Sequence, residues 1–169
     1  MKKAQSAVEF VLLISFLLMA AVPIFFILSD YSFKSSTEAS SSQLEATAHR
    51  LVDESREIFF LGLYSKDIIT VRMPKQVTSM QTIYINGAQD EYYLLINYTK
   101  DGNEIQFPIK SEVPLFTGDC TSKPCYTASQ CTYCSFNADD YSEGIKNFRL
   151  EAQPWGSMTG VNITHIDWN

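Results

Sequence analysis

The chain has 169 residues, with 46% hydrophobic and 19% charged residues and a formal charge of −6. That length holds one ordinary domain plus an extra element. The basic residues form no cluster beyond Lys2 and Lys3, which argues against a nucleic-acid partner.

The first element is apolar. No charged residue occurs from Phe10 to Leu28. As a helix this run is about 28 Å long, close to the ~30 Å of a bilayer core. Positive residues precede it and acidic ones follow it. The bias predicts the N-terminus inside and the remainder outside the membrane. The apolar run is expected to be retained, since no small-residue cleavage site follows it.

The first glycine is Gly62, and the one earlier proline is Pro23. So long a stretch without glycine suits a very long helix. Past the apolar run, Leu44, Ala48, Leu51, Val52, Ser55, Ile58 and Phe59 recur at steps of three and four. The spacing predicts one helix from near Gln5 to near Gly62, apolar all round in its first half and amphipathic in its second. The serine-rich "SDYSFKSSTEASSSQ" between the halves reads as a weakened but continuous helix, or as a hinge. Pro23 cannot donate to the Met19 carbonyl, so a loosened turn is expected there.

After Gly62 the period becomes two. "DIITVRMP", "QTIYING", "NFRLEA" and "GVNITHI" read as strands. "EYYLLINYTKDGNEIQFPI" reads as a hairpin turning at Asp101–Gly102. Its register puts Tyr98 opposite Ile105 and Ile96 opposite Phe107 on an apolar face. Asn97 then faces Gln106, and Thr99 faces Glu104, on a polar one. The expected fold class is α+β: the long helix, then an antiparallel β-rich head, sandwich-like.

Cys120, Cys125, Cys131 and Cys134 fall within fifteen residues. Outside a membrane, two disulfides are the simplest reading, and the spacing does not choose the pairing. The Cys131–Cys134 CxxC also admits a zinc knuckle or a redox pair. Zinc is disfavoured by the short gap between the cysteine pairs, and redox chemistry by the lack of a thioredoxin-like βαβ pattern. The acidic "NADDYSEG" reads as a solvated turn rather than a calcium loop. Two sequons, at Asn97 and Asn162, are glycosylation candidates. His49 and His165 lie in no motif, and there is no phosphate loop, GxSxG or HExxH. No enzyme activity, cofactor or metal is therefore expected.

Glu9 stands at the mouth of the apolar run. Buried in a helical bundle it would need a cation, and a free amine four residues upstream would serve. On these residues "KKAQSAVEFVLL" resembles the class III signal peptide of archaeal type IV pilins: a short basic leader, a small residue, then Gln-Ser-x-x-Glu and a long apolar stretch. The resemblance covers about the first thirty residues.

The resemblance implies cleavage between Ala4 and Gln5 by a prepilin peptidase, which removes Lys2 and Lys3 and takes the formal charge from −6 to −8. It also implies extraction of the retained helix into a filament by an assembly ATPase and a membrane platform protein, with Glu9 acting in assembly. The chain would start in the cell membrane and end in an extracellular surface filament, a self-polymer used in adhesion. The division expected is leader 1–4, membrane and filament-core helix 5–30, helix continuation 31–62, and extracellular head 63–169 with a cysteine loop 120–134. A minor pilin or pseudopilin, including the Tad type, is the near alternative. A monomeric signal-anchored ectodomain with a binding or redox role is the distant one.

Overall fold

The structure is a computed structural model. It describes residues 2–87, 89–100, 102–123 and 130–167, and side chains within them except at 2–8, 33–37, 119, 122–123 and 130. The element order is α1 (Lys2–Leu61), β1 (Lys66–Met73), β2 (Val77–Asn86), β3 (Glu91–Lys100), β4 (Asn103–Ser111), β5 (Leu115–Phe116), β6 (Asp119–Lys123), β7 (Gln130–Ser135), α2 (Ala138–Tyr141), β8 (Gly144–Trp155) and β9 (Met158–Ile166). The serine-rich stretch is helical, and Pro23 lies inside α1. The chain divides into two compact units, Met1–Ala39 and Ser40–Asn169, so the amphipathic half of α1 belongs to the head.

The head holds two sheets, in strand order β1-β8-β9-β5 and β4-β3-β2-β7-β6. Every pairing is antiparallel except β5 with β9. The expected α+β class with an antiparallel head is what the chain adopts. The hairpin register also holds, with Tyr98 opposite Ile105, Ile96 opposite Phe107, Asn97 opposite Gln106 and Thr99 opposite Glu104. Gly102 has φ 78°, the left-handed backbone that its turn requires. Asp101, the other turn residue, lies outside the described residues.

One expectation needs correcting. The segment read as a cysteine loop carries two strands, β6 and β7, and β7 extends the sheet beyond β2. Short strands rich in Cys, Thr and Ser lack the apolar alternation that marks the others. β5 has only two residues and carries no period at all.

Alternation turns one side of each strand inward. From one sheet come Ile69, Val71, Met73, Phe148, Leu150, Ala152, Val161 and Ile163; from the other come Met80, Leu94, Ile96 and Ile109. The same core includes Leu44, Ala48, Leu51, Val52 and Ile58 of α1. The helix reaches the edge strand of each sheet. On the β1 side, Gln43 Nε2 and Thr47 Oγ1 donate to the Arg72 carbonyl at 3.1 and 3.4 Å, and Arg50 Nη1 donates to the Thr70 carbonyl at 3.3 Å. On the β4 side, His49 meets the Phe107 ring edge-on at 6.5 Å, and Arg56 pairs at 3.0 Å with Glu112, just past the strand.

Small residues sit where α1 is most deeply buried. Ala48 and Ser55 are fully covered, and Ser55 satisfies its hydroxyl on the Leu51 carbonyl at 2.7 Å. Leu51, also fully covered, fills space that neighbouring backbone cannot close. Leu51→Ala should therefore lower the unfolding free energy of the full chain in detergent by about 2–5 kcal/mol. Urea denaturation checks this, and a loss below about 1 kcal/mol would mean that α1 is not part of the core.

Candidate functional site

The N-terminal unit is described by itself. Its helix between Glu9 and Ser32 has the length and apolar composition to cross a membrane, and none of it is buried within the chain. Two hydroxyls in this stretch are satisfied locally. Ser15 Oγ donates to the Val11 carbonyl at 2.8 Å, and Ser29 Oγ donates to the Phe25 carbonyl at 2.9 Å. Such back-bonding is what hydrocarbon surroundings demand of a polar side chain. Glu9 is exposed at the start of the stretch. Ala4 and Gln5 lie within α1, and their side chains fall outside those described.

In the head, Cys120 and Cys134 face each other across the β6–β7 ladder and form a disulfide. Cys131 is disulfide-bonded as well. Cys125 lies outside the described residues. Cys131 and Cys134 are each about 1% exposed, so this CxxC is oxidised and covered. The redox reading needs a partly exposed thiolate, and the zinc reading needs free thiolates. Among the described residues no group of three or more metal-binding side chains is placed to hold an ion.

The two sequon asparagines share an unusual feature. Asn97 is on the outward face of β3 and Asn162 on the outward face of β9, opposite Glu151. Each is partly covered, with an Oδ1 that is buried and finds no hydrogen-bond partner among the described residues.

Two arrangements escaped the reading of the sequence. The acidic segment folds into the single turn α2, and Asp140 is buried rather than solvated. Its carboxylate accepts the Asn137 N–H at 2.8 Å and lies 3.2 Å from His165 Nδ1. His165 also lies against the Phe148 ring at 5.8 Å, so the pair ties the turn to β9 and the core. The residues are 25 positions apart, and no local pattern links them.

The second arrangement closes one end of the two sheets. Tyr84 stacks on Tyr92 at 5.3 Å and meets Trp155 edge-on at 5.7 Å, while Trp155 stacks on Phe116 at 5.2 Å. Gly160 lies beneath, where a Cβ would come within 3.1 Å of the Phe116 ring and of Pro114. The Tyr84 hydroxyl donates to Asp90 at 3.1 Å. Burial, reinforced by the Asp90 hydrogen bond, raises the Tyr84 pKa, and burial followed by the Asp90 charge raises that of Tyr92. Nearby, the Lys110 ammonium lies 2.9 Å from Glu91 and holds that exposed carboxyl below its usual range.

Comparison with protein-family models, with curated proteins and with solved structures finds no match for this chain.

Two measurements follow from this geometry. A tyrosine pKa raised by folding contributes stability below the unfolded value of about 10, and that stability is lost as pH rises past it. Ultraviolet titration should show Tyr84 and Tyr92 ionising above the ordinary tyrosine value, and Asp90→Asn should bring Tyr84 earlier. Removing the Cys120–Cys134 bridge, which closes a loop of sequence separation 14, should cost about 3 kcal/mol by loop entropy. Denaturation of the chain and of the Cys120→Ser, Cys134→Ser double variant measures it, since a reductant would also open the disulfide at Cys131.

Proposed function

We propose that this chain is the structural subunit of an archaeal type IV pilus-like surface filament, polymerising through its N-terminal helix and displaying its head outward for adhesion. The observation that carries the reading is α1. Its apolar part has no cover within the chain, while its later part is built into the core of the head. A helix of that kind needs an apolar environment from outside. Lipid supplies one, and the Leu, Phe and Ile side chains of other copies supply a similar one. A single segment thus serves first as anchor and then as filament core.

Glu9 gives the helix a register. Removal of residues 1–4 would create an amine at Gln5, four residues upstream of Glu9. A carboxylate buried among helices is tolerated when paired with such a cation, and only at one axial offset. The leader's two lysines, held at the cytoplasmic face, would resist extraction until a prepilin peptidase removed them. An assembly ATPase and a platform protein would then drive polymerisation. Oxidised cysteines in the head suit an extracellular location. Asn97 and Asn162 would be the acceptors of any glycan.

A minor pilin or pseudopilin role uses the same parts and differs in abundance within sheared filaments. The ectodomain reading with a redox role loses support from the oxidised, buried Cys131 and Cys134.

Mass spectrometry of protein sheared from cells should give a chain beginning at Gln5. Intact chains beginning at Met1, recovered from membranes alone, would overturn the proposal. Glu9→Gln should leave processing and insertion intact and reduce filament yield at least tenfold by electron microscopy. Normal filaments from that variant would remove the pairing role.

A further inference from the structure

Among the described residues of the head, the large apolar side chains left strongly exposed are Phe60, Leu61, Leu63, Tyr64, Ile68 and Ile145. All but Ile145 fall between positions 60 and 68. They are also held firmly. Tyr64 keeps a positive φ of 65°, and its N–H donates to the Ala152 carbonyl, so the turn after α1 is pinned to β8.

Two features lie on one exposed stripe of α1, which runs through Ala46, Arg50, Asp53, Glu57 and Phe60 at steps of three and four. At its C-terminal end is a ridge. Phe60 and Leu61 are 69% and 72% exposed, with Asp53 and Glu57 beside them. Arg56 is drawn to Glu112 at 3.0 Å, and Asp53 and Glu57 have no ion pair among the described residues. The rim of the ridge is therefore acidic.

Toward the N-terminal end is a groove of about 430 Å³ between α1 and β1, lined by Ala46, Thr47, Arg50, Arg72 and Ile145 among others. Its floor is the β1 edge, already closed by the Thr47 and Arg50 hydrogen bonds to Arg72 and Thr70. Ile145 is 70% exposed at its wall. Its charged lining residues are both cations, and Arg50 reaches Glu54 only at 3.9 Å.

We propose that the acidic apolar ridge of one copy docks into the basic apolar groove of the next. Apolar surface meets apolar surface, and Asp53 and Glu57 meet Arg50 and Arg72. Ridge and groove are centred about eleven residues apart on α1, an axial offset of about 16 Å. Two arrangements satisfy the contact. An antiparallel twofold closes a dimer. Parallel copies, each offset from the last, leave a free ridge at one end and a free groove at the other, and so repeat without closing. Copies anchored from one side of a membrane are parallel, which selects the open arrangement. This step rests on the filament reading above.

The test places a photoreactive benzoylphenylalanine at Phe60 of the full chain, in cells that express it, and identifies the linked peptides by mass spectrometry. The expected product joins position 60 of one copy to the segment around Ala46–Arg50 or Ile145 of another. Glu57→Lys and Arg72→Glu should each lower its yield about threefold, and the two together should restore it. Filaments that form normally while the probe links elsewhere overturn this contact and leave the filament reading standing. A chain that stays monomeric in the membrane with no link overturns both. A closed dimer with the link and no larger species overturns the parallel arrangement. Failure of the double variant to restore the yield overturns the charge pairing.

Discussion

The head depends on the amphipathic half of α1 filling the space between the edges of its two sheets. Leu44, Leu51, Val52 and Ile58 enter a core that both sheets share, and Ala48 and Ser55 keep the buried stripe narrow. Without the helix, the core would open between β1 and β4, and the β1 carbonyls would face solvent. An open strand edge of that kind invites pairing with other chains. Gln43, Thr47 and Arg50 remove the hazard by donating directly to the Thr70 and Arg72 carbonyls. The helix is thus core, wall and edge cover at once.

The apolar N-terminal part of the same helix has no cover within the chain. Such a surface needs apolar surroundings from outside the chain: lipid or, in the filament proposed above, other copies. Its chemistry suits both surroundings: its described side chains are predominantly apolar, and Ser15 and Ser29 hydrogen-bond to carbonyls of their own turn. Pro23 leaves one carbonyl without its usual donor and tolerates a local bend. An acidic residue at one end of such a segment is costly in isolation and informative in company, because it admits few registers.

The opposite parts of the head are secured by contacts of long sequence reach. The Cys120–Cys134 bridge holds β6, an edge strand, to β7. Phe116, Trp155, Tyr84 and Tyr92 seal an end where strands from both sheets turn, and Gly160 makes room for the Phe116 ring. Asp140 and His165 fasten the α2 turn. These devices leave the exposed apolar surface of the head concentrated at the end of α1, where a rigid turn presents it.

The sequence by itself determined whatever a local period encodes. Steps of three and four along Leu44 to Phe59 specified the helix and its buried face, since each side chain's direction follows from its own position. Alternation on both sides of Asp101–Gly102 specified the β3–β4 register, because a slip by one residue would bury Asn97 and Thr99 and expose Ile96 and Tyr98. The apolar run is likewise legible as a string, since length and composition alone mark a helix able to cross a membrane. Only the tertiary structure decided the other strand neighbours, that β7 joins β2 and that the two-residue β5 lies parallel to β9. It alone brought Asp140 to His165, Phe116 to Trp155, and the basic groove beside β1 into being. Each of these joins residues far apart in the chain through packing that no single segment carries, and their partners are chosen by the closing of a common core rather than by the pattern of either partner.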